Sequence, residues 1–144
     1  MATIRSKDTR PELLLRRFLH RKGLRFRLHV RELAGRPDIV LSGRRIALFV
    51  HGCFWHQHAG CALAAVPASN RAFWKKKLED NRLRDSRQIA VLRQDGWRVG
   101  VIWECAARKG IADARTLTAL ERWLLKPRGY REFPATPLRK KDSD

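Results

Sequence analysis

Residues 50–61, Val50-His51-Gly52-Cys53-Phe54-Trp55-His56-Gln57-His58-Ala59-Gly60-Cys61, constrain this chain more than any other stretch. Three of its five histidines and two of its three cysteines fall within it. Thiolate and imidazole are the ligands zinc prefers. Cys53, His58 and Cys61 have the short spacings of one half of a structural zinc site. Cys105, the remaining cysteine, directly follows the apolar run Trp97–Trp103. A closed tetrahedral Cys₃His site then requires that run to be a strand beside Ile46–Val50. The bland alternative makes the three cysteines small buried hydrophobes and the histidines polar loop residues. Any disulfide would leave one cysteine over, which points to a reducing compartment.

Elements follow from local signals. Thr9-Arg10-Pro11-Glu12 reads as a capping box with proline just inside the helix start. Leu14, Leu15, Phe18 and Leu19 continue at helical spacing, and Gly23 ends the run. Leu24, Phe26, Leu28 and Val30 alternate with Arg25, Arg27 and His29, a half-exposed strand with a basic face. Asp38–Leu41 and Ile46–Val50 read as short strands joined at Ser42-Gly43. Ser69 or Asn70 caps a long helix to Gln94, basic in its first half and burying Ile89, Val91 and Leu92 in its second. A strand over Trp97–Trp103 and a helix over about Ala112–Leu125 follow. From Lys126, prolines and charges predict a loosely held tail. We therefore expect one domain over residues 1–125, a basic, proline-containing tail over 126–144, and a three-layer α/β sandwich around a mixed sheet.

The chain is 144 residues long and carries a formal charge of +18. A self-repelling imbalance of that size predicts a polyanionic partner, nucleic acid before membrane. No apolar run is long enough to span a bilayer, and the N-terminus lacks a signal-peptide core. The bland reading is a solvated basic surface.

Gly35-Arg36-Pro37-Asp38 places a carboxylate at the mouth of a strand. A Pro-Asp pair by itself usually marks a turn. Here, however, the next strand ends at His51, so two adjacent strand ends present a carboxylate and an imidazole around one divalent ion. Oxygen ligands on Mg²⁺ suit phosphodiester cleavage. His51 and His56 are surplus to the zinc set and suit proton transfer. Glu12 reads equally well as the capping-box carboxylate or as a site residue. Asp85 reads as a solvated helical ion pair or as a site residue. Phe54 and Trp55 read either as packing for the zinc loop or as a wedge for a base stack. Trp74 reads as packing on the sheet.

Together, Arg5-Ser6-Lys7-Asp8-Thr9 with Glu12, Gly35-Arg36-Pro37-Asp38, His51-Gly52-Cys53-Phe54-Trp55-His56, Gly96-Trp97-Arg98-Val99 and Trp103-Glu104-Cys105 resemble the very short patch repair (Vsr) endonucleases. The resemblance covers about residues 4 to 125. It implies a restriction-endonuclease-like fold with structural Zn²⁺ on Cys53, His58, Cys61 and Cys105. It implies Mg²⁺-dependent nicking on the 5′ side of the thymine of a T:G mismatch, a lesion left by deamination of 5-methylcytosine. Asp38 would be the metal-ligating carboxylate and Val50 would offer its main-chain carbonyl to Mg²⁺. His51 would be the general base or water-positioning group, and His56 would work beside the scissile phosphate. Glu12 would be a metal-side carboxylate, and Asp85 would orient His51. Phe54, Trp55 and Trp74 would intercalate at the mismatch. Where the wider nuclease superfamily has acidic-x-Lys on its second strand, this chain has Phe49-Val50-His51. Family members often have a longer N-terminal arm that closes over DNA. The expected partner is double-stranded DNA bound by a monomer in the bacterial cytoplasm, associated with the nucleoid and alongside repair-pathway proteins. The alternatives are a same-fold nuclease for another mismatch or deaminated base, and a non-catalytic zinc-containing DNA-binding module.

Overall fold

The computed structural model describes residues 9–110 and 113–134. Of the Arg5-Ser6-Lys7-Asp8-Thr9 string, only Thr9 lies within them, and the tail from 135 onward lies outside them. Helix α1 is Arg10–Arg21, and the Thr9 side chain accepts the Glu12 N–H at 3.4 Å. Strands β1 (Arg27–Leu28), β2 (Ile39–Leu41) and β3 (Ile46–His51) form an antiparallel meander. Helix α2 (Arg71–Gln94) crosses to β4 (Arg98–Trp103), which runs parallel to β3. Helix α3 (Ala114–Leu125) starts at Asp113, whose carboxylate accepts the Thr116 N–H at 3.0 Å, and crosses to β5 (Tyr130–Phe133), parallel to β4. Among the described residues the sheet is five-stranded and mixed, in sequential order. This is the expected α/β architecture.

The period of two along the strands builds three layers. Ile46 and Leu48 of β3 face a cluster with Leu15, Phe18 and Leu19 of α1 and Leu120, Trp123 and Leu124 of α3. Ala47 and Phe49 face the other way, against Leu92 of α2, Val99, Val101 and Trp103 of β4, and Cys53 and Cys105. At Gly100 the first layer leaves no room: a Cβ there would stand 2.8 Å from the Leu48 side chain and 3.3 Å from Trp123. Overpacking of this kind costs about 1–3 kcal/mol.

Three expectations change. The strand expected over Leu24–Val30 shrinks to two residues, because His29 turns out of the sheet at a φ of +49°. Val91 is exposed rather than buried, and α2 buries only Leu78 and Leu92. Helix α2 is therefore polar nearly all round, with Lys75, Lys76, Lys77, Arg82 and Arg84 in solvent. It is held by Leu78 and Leu92 and by the contacts of Trp74, Asn81 and Asp85 with the loop after β3. Finally, the chain is not loose from Lys126. Phe133 is buried, and Val99–Ile102 of β4 pair with residues 130–133. Its apolar payload is a single phenylalanine among charges, too little for a sequence pattern to register.

Candidate functional site: two ligand clusters at the end of β3

Because β3 and β4 are parallel neighbours, with His51 opposite Trp103, both chains leave the sheet at the same edge. Cys53 and Cys105 follow within two residues. The loop after Cys53 folds back through His58 N–H to Cys53 O (3.0 Å) and Cys61 N–H to His58 O (3.2 Å). Cys53, His58, Cys61 and Cys105 thereby offer ligand atoms all within 4.8 Å of one another. His58 Nδ1 stands 3.7 Å from Cys53 Sγ and 3.6 Å from Cys105 Sγ. Tetrahedral zinc with Zn–S of about 2.3 Å and Zn–N of about 2.0–2.1 Å requires about 3.6 Å between those ligands, so the cluster fits a zinc site. Hydrogen bonding from the Cys53 thiol, and next from His58, lowers Cys105 to about 5 and outweighs its burial. The same contact, with burial, pushes Cys53 up. The cluster thus favours a thiolate, the form that binds metal. The His58 ring stacks on Trp103 at 4.2 Å, and the Trp103 indole N–H donates to Glu132 of β5 at 2.7 Å.

On the other side of the loop lies a groove with two arms, of about 550 and 670 Å³, which share Asp38, Val50, His51 and His56. Asp38 opens β2 beside the C-terminal end of β3, and its Oδ2 accepts the Val50 N–H at 2.7 Å. Burial raises the Asp38 carboxyl to about 6, despite that hydrogen bond. Glu12 projects from α1, only 1 % exposed, with Oε1 2.6 Å from Arg16 Nη2 and 3.0 Å from His29 Nε2. Glu12, His29 and Asp38 form a second cluster with ligand atoms within 4.8 Å. Hard carboxylate oxygens in an open cleft suit Mg²⁺ or Mn²⁺ rather than zinc. His51 ends β3 on the α2 side of the sheet, and burial, followed by the neighbouring His56, holds its pKa well below the ordinary imidazole value. His56 stacks on it with ring centroids 3.8 Å apart and nearly parallel planes. His56 Nδ1 meets Asp85 Oδ2 at 2.6 Å.

Phe54, Trp55 and Trp74 make a mutual edge-to-face cluster, with ring centroids 5.0–5.9 Å apart. All three are half-buried, and Phe54 and Trp55 line the α1-side arm. Trp74 packs on these loop aromatics, where the sequence suggested the sheet. Phe73, next to it, is 59 % exposed.

A family model described as DNA mismatch endonuclease Vsr matches residues 1–62. A Type II nicking enzyme, V.XorIIP, from Xanthomonas oryzae pv. oryzae is 49 % identical over 127 residues, covering 88 % of this chain and 90 % of its own. The DNA mismatch endonuclease Vsr of Escherichia coli (strain K12) is 42 % identical over 126 residues, covering 86 % and 80 %. The chain belongs to the Vsr family of DNA mismatch endonucleases. It is accordingly a metal-dependent endonuclease, a hydrolase, of a family that acts on DNA. Among the described residues, no helix is long and apolar enough to cross a membrane.

Within this Vsr-family chain the structure brings Glu12, Asp38, Val50, His51 and His56 to one groove. It differs from the resemblance at Asp85, which bonds to His56 at 2.6 Å, with His51 the third member of a cluster whose ligand atoms lie within 4.8 Å of one another. Three further residues bear on the groove: Glu104 lines it, while Arg16 and His29 stand against Glu12. His29 looked like one more basic position on an alternating strand; only the β1–β2 register puts it beside Asp38. Arg16 is one of many arginines on α1, distinguished only by standing four residues after Glu12. Glu104 carries no signal in the sequence beyond its place in Trp103-Glu104-Cys105. Its Oε1 accepts the Cys53 N–H at 2.9 Å and lines the groove, so it ties the ligand loop to the end of β4.

Proposed function

We propose that this protein nicks one strand of double-stranded DNA on the 5′ side of the thymine in T:G mismatches left by deamination of 5-methylcytosine. In this reading it uses Mg²⁺ at Asp38 and structural Zn²⁺ on Cys53, His58, Cys61 and Cys105. The observation that carries the reading is the junction of the Glu12 and Asp38 carboxylates, a histidine pair and the Phe54–Trp55 aromatics in one groove. A non-catalytic binder needs only the third.

Asp38 would hold the divalent ion, with Glu12 on the metal side and the Val50 carbonyl as a main-chain ligand. The ion would supply Lewis acidity toward the scissile phosphate. His56 is the stronger candidate for taking a proton from the attacking water. An ionised Asp85 is acceptor-only, so His56 Nδ1 carries the hydrogen between them and Nε2 keeps its lone pair. His51, held neutral by burial, can position water but is a weaker base. Phe54, Trp55 and Trp74 would enter the base stack. Unstacking one step costs about a few kcal/mol, and least where pairing is already poor, which favours a T:G step over paired DNA. The exposed lysines and arginines of α2 would hold phosphates. The protein would act as a monomer on nucleoid DNA in the cytoplasm.

The test is a panel of duplexes carrying T:G, other mismatches, deaminated bases and full pairing, with cut positions mapped with and without Mg²⁺. Mg²⁺-dependent nicking 5′ of the T of T:G, lost in Asp38→Ala, is expected. Equal cutting of paired DNA sinks the mismatch reading, preference for another lesion moves the substrate, and binding without cutting leaves only a DNA-binding module.

A further inference from the structure

His29 is the first residue past β1. The β1–β2 register sets it opposite Asp38, whose carbonyl accepts the His29 N–H at 3.0 Å. Its φ of +49° lies in a region uncommon for residues with a Cβ. Such backbone persists where surrounding structure over-determines it, often at functional sites. Nε2 is 3.0 Å from Glu12 Oε1 and 3.2 Å from Arg16 Nη2.

A carboxylate only accepts and a guanidinium only donates. With a hydrogen on Nε2, the ring and Arg16 both donate to Oε1, and the 3.2 Å between their nitrogens follows from the shared acceptor. With a lone pair there, the ring faces Oε1 at 3.0 Å as a second donor atom, and a cation between the two would bind both. Arg16 already compensates the Glu12 charge at 2.6 Å, so the imidazole is not required for that. The spacing fits: with bonds of about 2.1 Å, neighbouring ligands of one octahedral ion stand about 3.0 Å apart and opposite ones about 4.2 Å. The Glu12–His29 pair matches the first value, and the whole Glu12–His29–Asp38 set lies within 4.8 Å.

We infer that His29 ligates, through Nε2, the same divalent ion as Asp38 and Glu12, and so gives the groove a nitrogen ligand. This rests on the proposal that a divalent ion acts at Asp38. A mixed nitrogen–oxygen set raises affinity for Mn²⁺ relative to Mg²⁺, since imidazole suits transition metals and all-oxygen sets suit Mg²⁺.

The test uses the full-length, zinc-loaded chain without DNA. Mn²⁺ binding is followed by EPR, and imidazole nitrogen coupling to Mn²⁺ by pulsed EPR. Wild type should bind Mn²⁺ with nitrogen coupling, and Asp38→Ala should lose the binding. The coupling should persist when His51→Gln and His56→Gln are combined and vanish in His29→Gln. That variant should bind Mn²⁺ on the order of ten-fold more weakly, with a smaller change for Mg²⁺ measured by competition. Unchanged Mn²⁺ binding and coupling in a folded His29→Gln overturns the inference. So does coupling that disappears with His51 and His56, a result that decides even where His29→Gln fails to fold. A folded wild type that binds no Mn²⁺ overturns the divalent-ion reading as well, and is thereby distinguished.

Discussion

The two ligand clusters lie on either side of one loop yet differ in burial, in donor type and in access. Cys53, His58 and Cys105 are buried, their donors are soft, and the chain closes around them. Glu12, His29 and Asp38 pair a buried carboxylate with hard oxygens that face an open groove. A closed site spends its ligands on holding the fold, as structural zinc does; an open one keeps positions for substrate. The loop between His51 and Cys61 gains its fixed shape from the first and delivers His56 to the second. The contrast shows that stability and reactivity have been assigned to opposite ends of one short segment.

Removing the closed cluster should have the largest effect. Cys105→Ser, or withdrawal of the metal from the wild type, should cost several kcal/mol and abolish cooperative unfolding, because the binding energy of a structural metal is folding energy. Thermal melts with metal content measured alongside decide it. An unchanged melt after verified metal loss would show that the two clusters do not divide the labour in this way.

The open cluster should answer in the opposite sense. Folding raises the Asp38 carboxyl from 3.8 to about 6, so the folded state prefers the protonated form. The ionised form therefore destabilises the metal-free protein above about pH 6, and this penalty disappears below about pH 4. Asp38→Asn should be more stable than wild type at pH 7.5 by up to about 3 kcal/mol, with the gap closing toward pH 4, as read from denaturant melts without added Mg²⁺. A destabilised Asp38→Asn at pH 7.5 would remove the reading of this end as the strained one.

Between the clusters, Asp85→Asn should lower the nicking rate by about 10–100-fold through misorientation of His56, with melting nearly unchanged. An equal loss of stability would make Asp85 part of the scaffold instead. A comparable effect, on binding rather than rate, is expected for Trp74→Ala, about 1–3 kcal/mol by loss of base stacking, larger for mismatched than for paired duplex. Equal losses on both duplexes would return the aromatic trio to a packing role.

The sequence carried the closed cluster almost completely, because its ligands are rare residue types and Cys105 had to reach them, which demanded that β3 and β4 be neighbours. The hairpin from Asp38 to His51 was legible for the same kind of reason: short apolar runs with a turn between them leave few pairings. His29 was not legible, since what distinguishes it is a register and a left-handed backbone, neither of which is written in residue type. The Asp85–His56 contact was not legible, because a helix face gives a direction but not a height above the sheet. The fifth strand was hidden by its charges: Tyr130, Arg131 and Glu132 look like tail.

That strand makes the C-terminal border a matter of enzyme integrity. Lys126 and Arg128 are both exposed in the crossing to β5. Lys126 precedes a proline, a bond trypsin resists, and the next basic residue is Arg128, whose carbonyl accepts the Trp123 indole N–H at 3.1 Å, so scission after it requires the crossing to open first. A cut there severs the covalent tether of the strand whose Glu132 holds the Trp103 indole against which His58 lies. Limited proteolysis, or a gene trimmed just after α3, would thus act on the metal loop from the far edge of the sheet. A fragment retaining every ligand and every groove residue would still be an incomplete enzyme.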